Sequence, residues 1–198
     1  MQTTKPAFVE IYTESTPNPK MLKFVASHVF LPNMMLDCKT KEDAKESPLA
    51  QMLYAFDFVD TVFISNNFIT IGKKENVEEE WFELSFDIKE ALKHYLKEDK
   101  EIVTENLKKQ VAQKKEDAKA ETETDQKIID LLEKYVKPAV EMDGGHIAFK
   151  SFKEGVVSLS LQGACSGCPS SSVTLKDGIE AMLKRMLPEV KEVVAYAE

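Results

Sequence analysis

Gly163-Ala164-Cys165-Ser166-Gly167-Cys168-Pro169-Ser170-Ser171-Ser172 is the stretch around which this chain is organised. Before it, Val157, Leu159 and Leu161 alternate with polar residues, the period of a half-buried strand. After it, Leu175, Ile179, Met182 and Met186 follow at helical spacing. Two cysteines separated by two residues thus sit where a strand hands over to a helix. Pro169 suits the first helical position, where its missing N–H leaves nothing unpaired. A helix N-terminus carries free N–H groups and partial positive charge, which favour thiolate over thiol. Gly163 and Gly167 allow tight turns that bring backbone amides near the sulfurs. The expectation is a pair of activated, same-facing sulfur ligands, Cys165 and Cys168, on a short loop.

Working outward, Ile147 to Phe152 reads as a strand, Lys153-Glu154-Gly155 as a turn, and Val156 to Leu161 as the partner strand. Upstream, Ile128, Leu131, Leu132, Tyr135 and Val136 make one apolar helix face. Pro138 is expected to bend that helix, and Asp143-Gly144-Gly145 to end it with a glycine in the left-handed closing position. Downstream, Pro188 stops the last helix and Val190 to Tyr196 adds a strand. The order is α-β-β-α-β over residues 125–198: one small sheet covered by two helices.

The front of the chain reads differently. Val9 to Thr13 and Met21 to Val25 are strands around the rigid turn Thr16-Pro17-Asn18-Pro19. Pro32 to Ser47 reads as a polar connection that includes Cys38. Ser47-Pro48 opens a helix carrying Leu49, Met52, Leu53 and Phe56. Val59 to Ile64 and Phe68 to Ile71 form a hairpin around Asn66-Asn67. A helix from Trp81 to Leu96 closes a ββαββα-like unit. From Lys97 to Gln126 aromatics, glycine and proline vanish, and Lys, Glu, Asp, Thr, Gln and Ala dominate. Such a stretch buries too little to offset its ordering entropy. Ile102, Val103, Leu107 and Val111 give it a weak amphipathic start; the whole reads as a charged, extended tether, in part helical, with one long solvated helix as the alternative. The fold class is therefore α+β: two small mixed domains, 1–97 and 125–198, joined by a charged flexible linker at 98–124.

The net charge of −8 argues against non-specific nucleic-acid binding, and Arg185 is the only arginine for bidentate phosphate recognition. No apolar run reaches the roughly 20 residues of a membrane span, so neither nucleic acid nor membrane is an expected partner. The first residues lack both the apolar core of a signal peptide and the arginine-rich, acid-poor look of a transit peptide, and a cytoplasmic location is the default expectation. Three cysteines do not make a disulfide framework.

Three chemistries use C-x-x-C. Dithiol–disulfide exchange suits the helix N-terminus, but no aromatic stands beside the pair. Structural zinc wants four ligands, and this unit offers two sulfurs and His146. An iron–sulfur cluster prefers four thiolates. One chain supplies two in this unit and two chains supply four, which points to a symmetric pair sharing one cluster at the two-fold axis. Two inert buried cysteines remain the bland alternative. Cys38, in a polar loop without a partner cysteine, is expected to be an incidental thiol. His146 reads as a surface residue at a strand start, Trp81 as a core filler, and Glu78-Glu79-Glu80 as favourable charge at a helix N-terminus. Ser170 to Ser172 have no histidine base, so capping and sulfur hydrogen bonding suit them better than nucleophilic roles.

Asp143-Gly144-Gly145, Leu161 to Ser171, Thr174-Leu175 and Gly178-Ile179-Glu180 resemble the C-terminal domain of NifU, the Nfu-type domain. Thr16 to Lys20 with Leu22-Lys23-Phe24, and Ser47-Pro48-Leu49-Ala50, resemble the N-terminal domain that accompanies it in many Nfu proteins. The resemblance implies an iron–sulfur cluster scaffold or carrier, not an enzyme. It implies a [4Fe–4S] cluster, with [2Fe–2S] the other type, held by Cys165 and Cys168 of two subunits. The homodimer would form on cluster binding, receive its cargo from a donor scaffold and pass it to apo-proteins. A dithiol oxidoreductase using the same two cysteines is the rival from another class.

Overall fold

The computed structural model describes residues 8–117, 122–166 and 169–197. The chain divides into two compact units, Met1–Asp117 and Ala118–Glu198, each with its own core.

In the first unit, β1 (Ile11–Ser15) and β2 (Met21–Ala26) form the expected antiparallel hairpin, Ile11 opposite Ala26 and Ser15 opposite Leu22. Its long turn is held by side chains: Thr16 Oγ1 donates to the Asn18 and Met21 carbonyls, and Asn18 Oδ1 accepts from the Lys20 N–H. The supposed polar connection is instead largely a strand, β3 (Leu31–Cys38). It was concealed because Pro32, Asn33 at φ 58° and a register shift between Leu31 and Met35 break its alternation. Proline is tolerated there because β3 is an edge strand in the order β1-β2-β5-β4-β3.

The helix α1 (Pro48–Leu53) starts where expected, with Ser47 Oγ accepting the Ala50 N–H at 3.1 Å. β4 (Val59–Asn66) and β5 (Phe68–Lys73) pair antiparallel, with Asn66 at φ 47° in the turn. α2 (Trp81–Lys97) buries Ser85, Ile88, Leu92, Tyr95 and Leu96 at helical spacing. Trp81 packs edge-on against Phe24 and donates its Nε1–H to the Pro19 carbonyl, tying the β1–β2 turn to the helix.

The expected flexible linker at 98–124 is corrected over its first part. Val103 is completely buried in the first core, with Ile102 and Leu107 packed against it. Ser47 Oγ donates to the Ile102 carbonyl, and the Thr104 N–H to the Glu46 carbonyl. A helix, α3 (Glu105–Asp117), follows. Three apolar residues and a hydrogen-bonded anchor suffice to order a segment whose average composition says otherwise.

The second unit follows the expected α-β-β-α-β order. α4 (Glu123–Leu131) opens with Thr122 and Asp125 capping one another. A π-helical turn, Leu132–Val136, leads into α5 (Lys137–Met142), so the helix departs from regular geometry just before Pro138. Gly144, at φ 81°, closes it as expected. β6 (Gly145–Lys153) and β7 (Val156–Gly163) pair antiparallel, and β8 (Glu192–Ala197) lies parallel to β7 after α6 (Pro169–Met186). Ile147, Val157, Leu159 and Leu161 on the sheet meet Ile128, Leu132 and Val140 from the first helix and Ile179 and Leu183 from α6.

Candidate functional site

The loop between β7 and α6 is built by two facing glycines. Gly145 opens β6 and Gly163 closes β7, directly opposite in register. Gly163, at φ 64°, turns the chain out of the strand. Ala164 N–H then donates to the Gly144 carbonyl at 3.3 Å, and the Ser166 N–H and Oγ–H both donate to the Gly163 carbonyl, at 3.1 and 2.9 Å. These bonds fix the backbone on both sides of Cys165 and tie the end of α5 to the cysteine loop.

Cys165 points inward and belongs to the second core, only 6% exposed. A Cβ placed on Gly145 would stand 2.7 Å from its Sγ, so glycine there makes the berth in which the sulfur lies. Burial, then the nearby Asp143 carboxylate, pushes the Cys165 thiol up to about 11. Both influences run against the activated sulfur expected at Cys165. Its partner Cys168, with Gly167, lies outside the described residues, as do the side chains of Ser170 to Ser172. α6 does begin at Pro169.

His146, expected at the surface, is half-buried and sits opposite Gln162. Its Nδ1 and the Gln162 Oε1 are buried without a hydrogen-bond partner. Burial, with the Lys137 cation beside it, lowers the imidazole to about 4, so it is neutral at ordinary pH. Strand alternation sends it to the sheet face opposite Gly145, away from the Cys165 sulfur. Cys38, expected in a polar loop, ends β3 and is fully buried. Burial, then Asp43 and Asp37, pushes its thiol up to about 12. Glu80 N–H donates to the Glu83 carboxylate at the start of α2, so the last residue of that acidic run takes part in capping the helix. Among the described residues, no three His, Cys, Asp or Glu side chains come together as a metal cage. Sequence reasoning missed the berth at Gly145 and the part of Asp143 because neither residue type announces itself by spacing.

Family models match both units. One described as a NifU-like domain covers residues 128–194, and one described as the N-terminal domain of the scaffold protein Nfu/NifU covers residues 11–99. The human protein named NFU1 iron-sulfur cluster scaffold homolog, mitochondrial, is 38% identical over 186 residues, which span 94% of this chain and 71% of that one. NifU-like protein 4, mitochondrial, of Arabidopsis thaliana is 40% identical over 187 residues, spanning 92% of this chain and 64% of its relative. A solution structure of a NifU-like protein from Saccharomyces cerevisiae is 21% identical with a TM-score of 0.44, covering 53% of this chain and 92% of that one. The cytoplasmic expectation is overturned here: both named relatives carry mitochondrial names. A default drawn from a missing leader pattern has no weight beside them.

Proposed function

The chain belongs to the Nfu family of NifU-like proteins, and from that membership we propose that it is an iron–sulfur cluster scaffold or carrier whose cargo is held between two copies by Cys165 and Cys168. The observation that carries this reading is the C-x-x-C loop, placed between β7 and α6 of a unit matched as NifU-like. Two thiolates are half of the four a [4Fe–4S] cluster prefers, so a second copy supplies the others. Apolar surface on the elements flanking the loop supports that count: Met142 at the end of α5 is 72% exposed and Val173 on α6 is 58% exposed.

The Gly145 berth suggests how cargo leaves. To bind iron, Cys165 gives up its proton and its buried seat. On transfer, an acceptor thiol loses its proton and forms the new Fe–S bond. The old Fe–S bond breaks, Cys165 takes up a proton and returns to the berth. No electron moves, and no substrate is turned over covalently, so the role is that of a carrier and not of an enzyme. Residues 125–198 would do this work, and 1–97 with its docked tail would select donors and acceptor apo-proteins.

Anaerobic loading with iron and sulfide tests the reading. The wild-type chain should gain a broad visible absorbance and about four irons per pair of chains. Cys165→Ser and Cys168→Ser should each lose both. Full retention in either variant would refute the ligand assignment. The rival dithiol oxidoreductase predicts instead a measurable two-electron thiol potential with no retained iron.

A further inference from the structure

Phe82 and Phe86 are one turn apart on α2 and are 78% and 62% exposed. Residues four apart share a helix face, so the two rings make one apolar patch on the side not used by Ser85, Ile88, Leu92, Tyr95 and Leu96. The first core does not call on them: its aromatic contact from this end of α2 is made by Trp81 against Phe24. Past Phe86 the same flank runs into a groove of about 310 Å³ lined by Phe8, Val9, Glu90, Lys93, His94 and Lys97. Phe8 there is itself 72% exposed. Two exposed rings on one helix face, with Phe8 exposed at the rim of a mostly charged groove, mark a contact surface.

The charge around the strip is divided. Glu78, Glu79 and Glu80 precede α2, and Glu83, Asp87 and Glu90 lie along its first half. Glu83 is used in capping and Glu90 pairs with Lys93. Among the described residues, no ion pair neutralises Glu78, Glu79 or Asp87. Lys89, Lys93, His94 and Lys97 lie along the rest of α2, and Lys73 Nζ donates to the Glu79 carbonyl.

We propose that this flank of α2 docks a basic amphipathic helix of another protein. Its apolar side chains would lie on Phe82 and Phe86, and its lysines or arginines would face Glu78, Glu79 and Asp87. The acids select this occupant over an anionic bilayer, which they would repel, and the net charge of −8 opposes a second copy through self-repulsion. The patch lies in the first unit and is independent of the cysteine loop, so its test stands apart from cluster loading.

The probe is a fluorescein-labelled leucine–lysine amphipathic peptide of about 18 residues, or five helical turns, titrated with the full chain and read by fluorescence anisotropy. Phe82→Ser with Phe86→Ser should weaken binding about tenfold or more, as loss of two central anchors does. Glu79→Gln with Asp87→Asn should weaken it about threefold or more and flatten its salt dependence. Both variants should keep the parent's circular dichroism and melting temperature. Equal binding by the phenylalanine variant would overturn the proposal, since bulk acidity would then suffice. So would a clear fall in its melting temperature, which would make the rings structural. Self-association of the parent that the phenylalanine variant abolishes, or no binding at all, would overturn it as well.

Discussion

Cys165 and His146, neighbours of the same pair of glycines, are both held uncharged by burial. For Cys165 the outcome reverses what the helix N-terminus alone suggests, because the distance from water was not readable from C-x-x-C spacing. The position of the thiol was legible; its protonation state needed the berth against Gly145. Of the two adjacent glycines, only the structure separates the conformational one, Gly144 at φ 81°, from the steric one, Gly145. His146 yields a prediction with a definite sign. Its folded pKa is depressed from 6.5 to about 4, so it contributes stability above pH 6.5 that is lost as pH falls through about 4. Urea unfolding of His146→Gln, followed between pH 7 and 4, should show a shallower acid loss than the parent; parallel curves would mean that the imidazole is not held neutral.

At the scale of elements, the long periodic segments were legible and the short interrupted ones were not. α2, the β4–β5 hairpin and the whole α-β-β-α-β unit follow from hydrophobic period and turn residues. β3 did not, because a proline, a left-handed asparagine and a shifted register hide its alternation. Residues 98–117 did not, because their anchor is made in three dimensions by Ser47, Glu46 and Val103. Ser47 serves two masters, capping α1 and holding the Ile102 carbonyl. Ser47→Ala should therefore destabilise the first unit by about 1–2 kcal/mol in urea melts and speed proteolytic cleavage within residues 98–104. On α6, a Cβ at Gly178 would meet nothing within 4 Å. Gly178→Ala should accordingly raise stability by about 0.5–1 kcal/mol, read from the shift of the urea midpoint.

Across the whole molecule, each unit closes its own core, and the chain carries a net charge of −8. That charge opposes self-association through repulsion, and on the proposed function a shared cluster is what would bring two chains together. The fold class and the family were legible because a specific cysteine loop sits inside a regular α-β-β-α-β frame. The proposed count of two copies rests on counting sulfurs. The most direct test is native mass together with iron content, before and after anaerobic loading. A shift from one chain to two on loading, with about four irons and four sulfides per pair, is the expected result. A loaded species of a single chain that retains a complete four-iron cluster would contradict it.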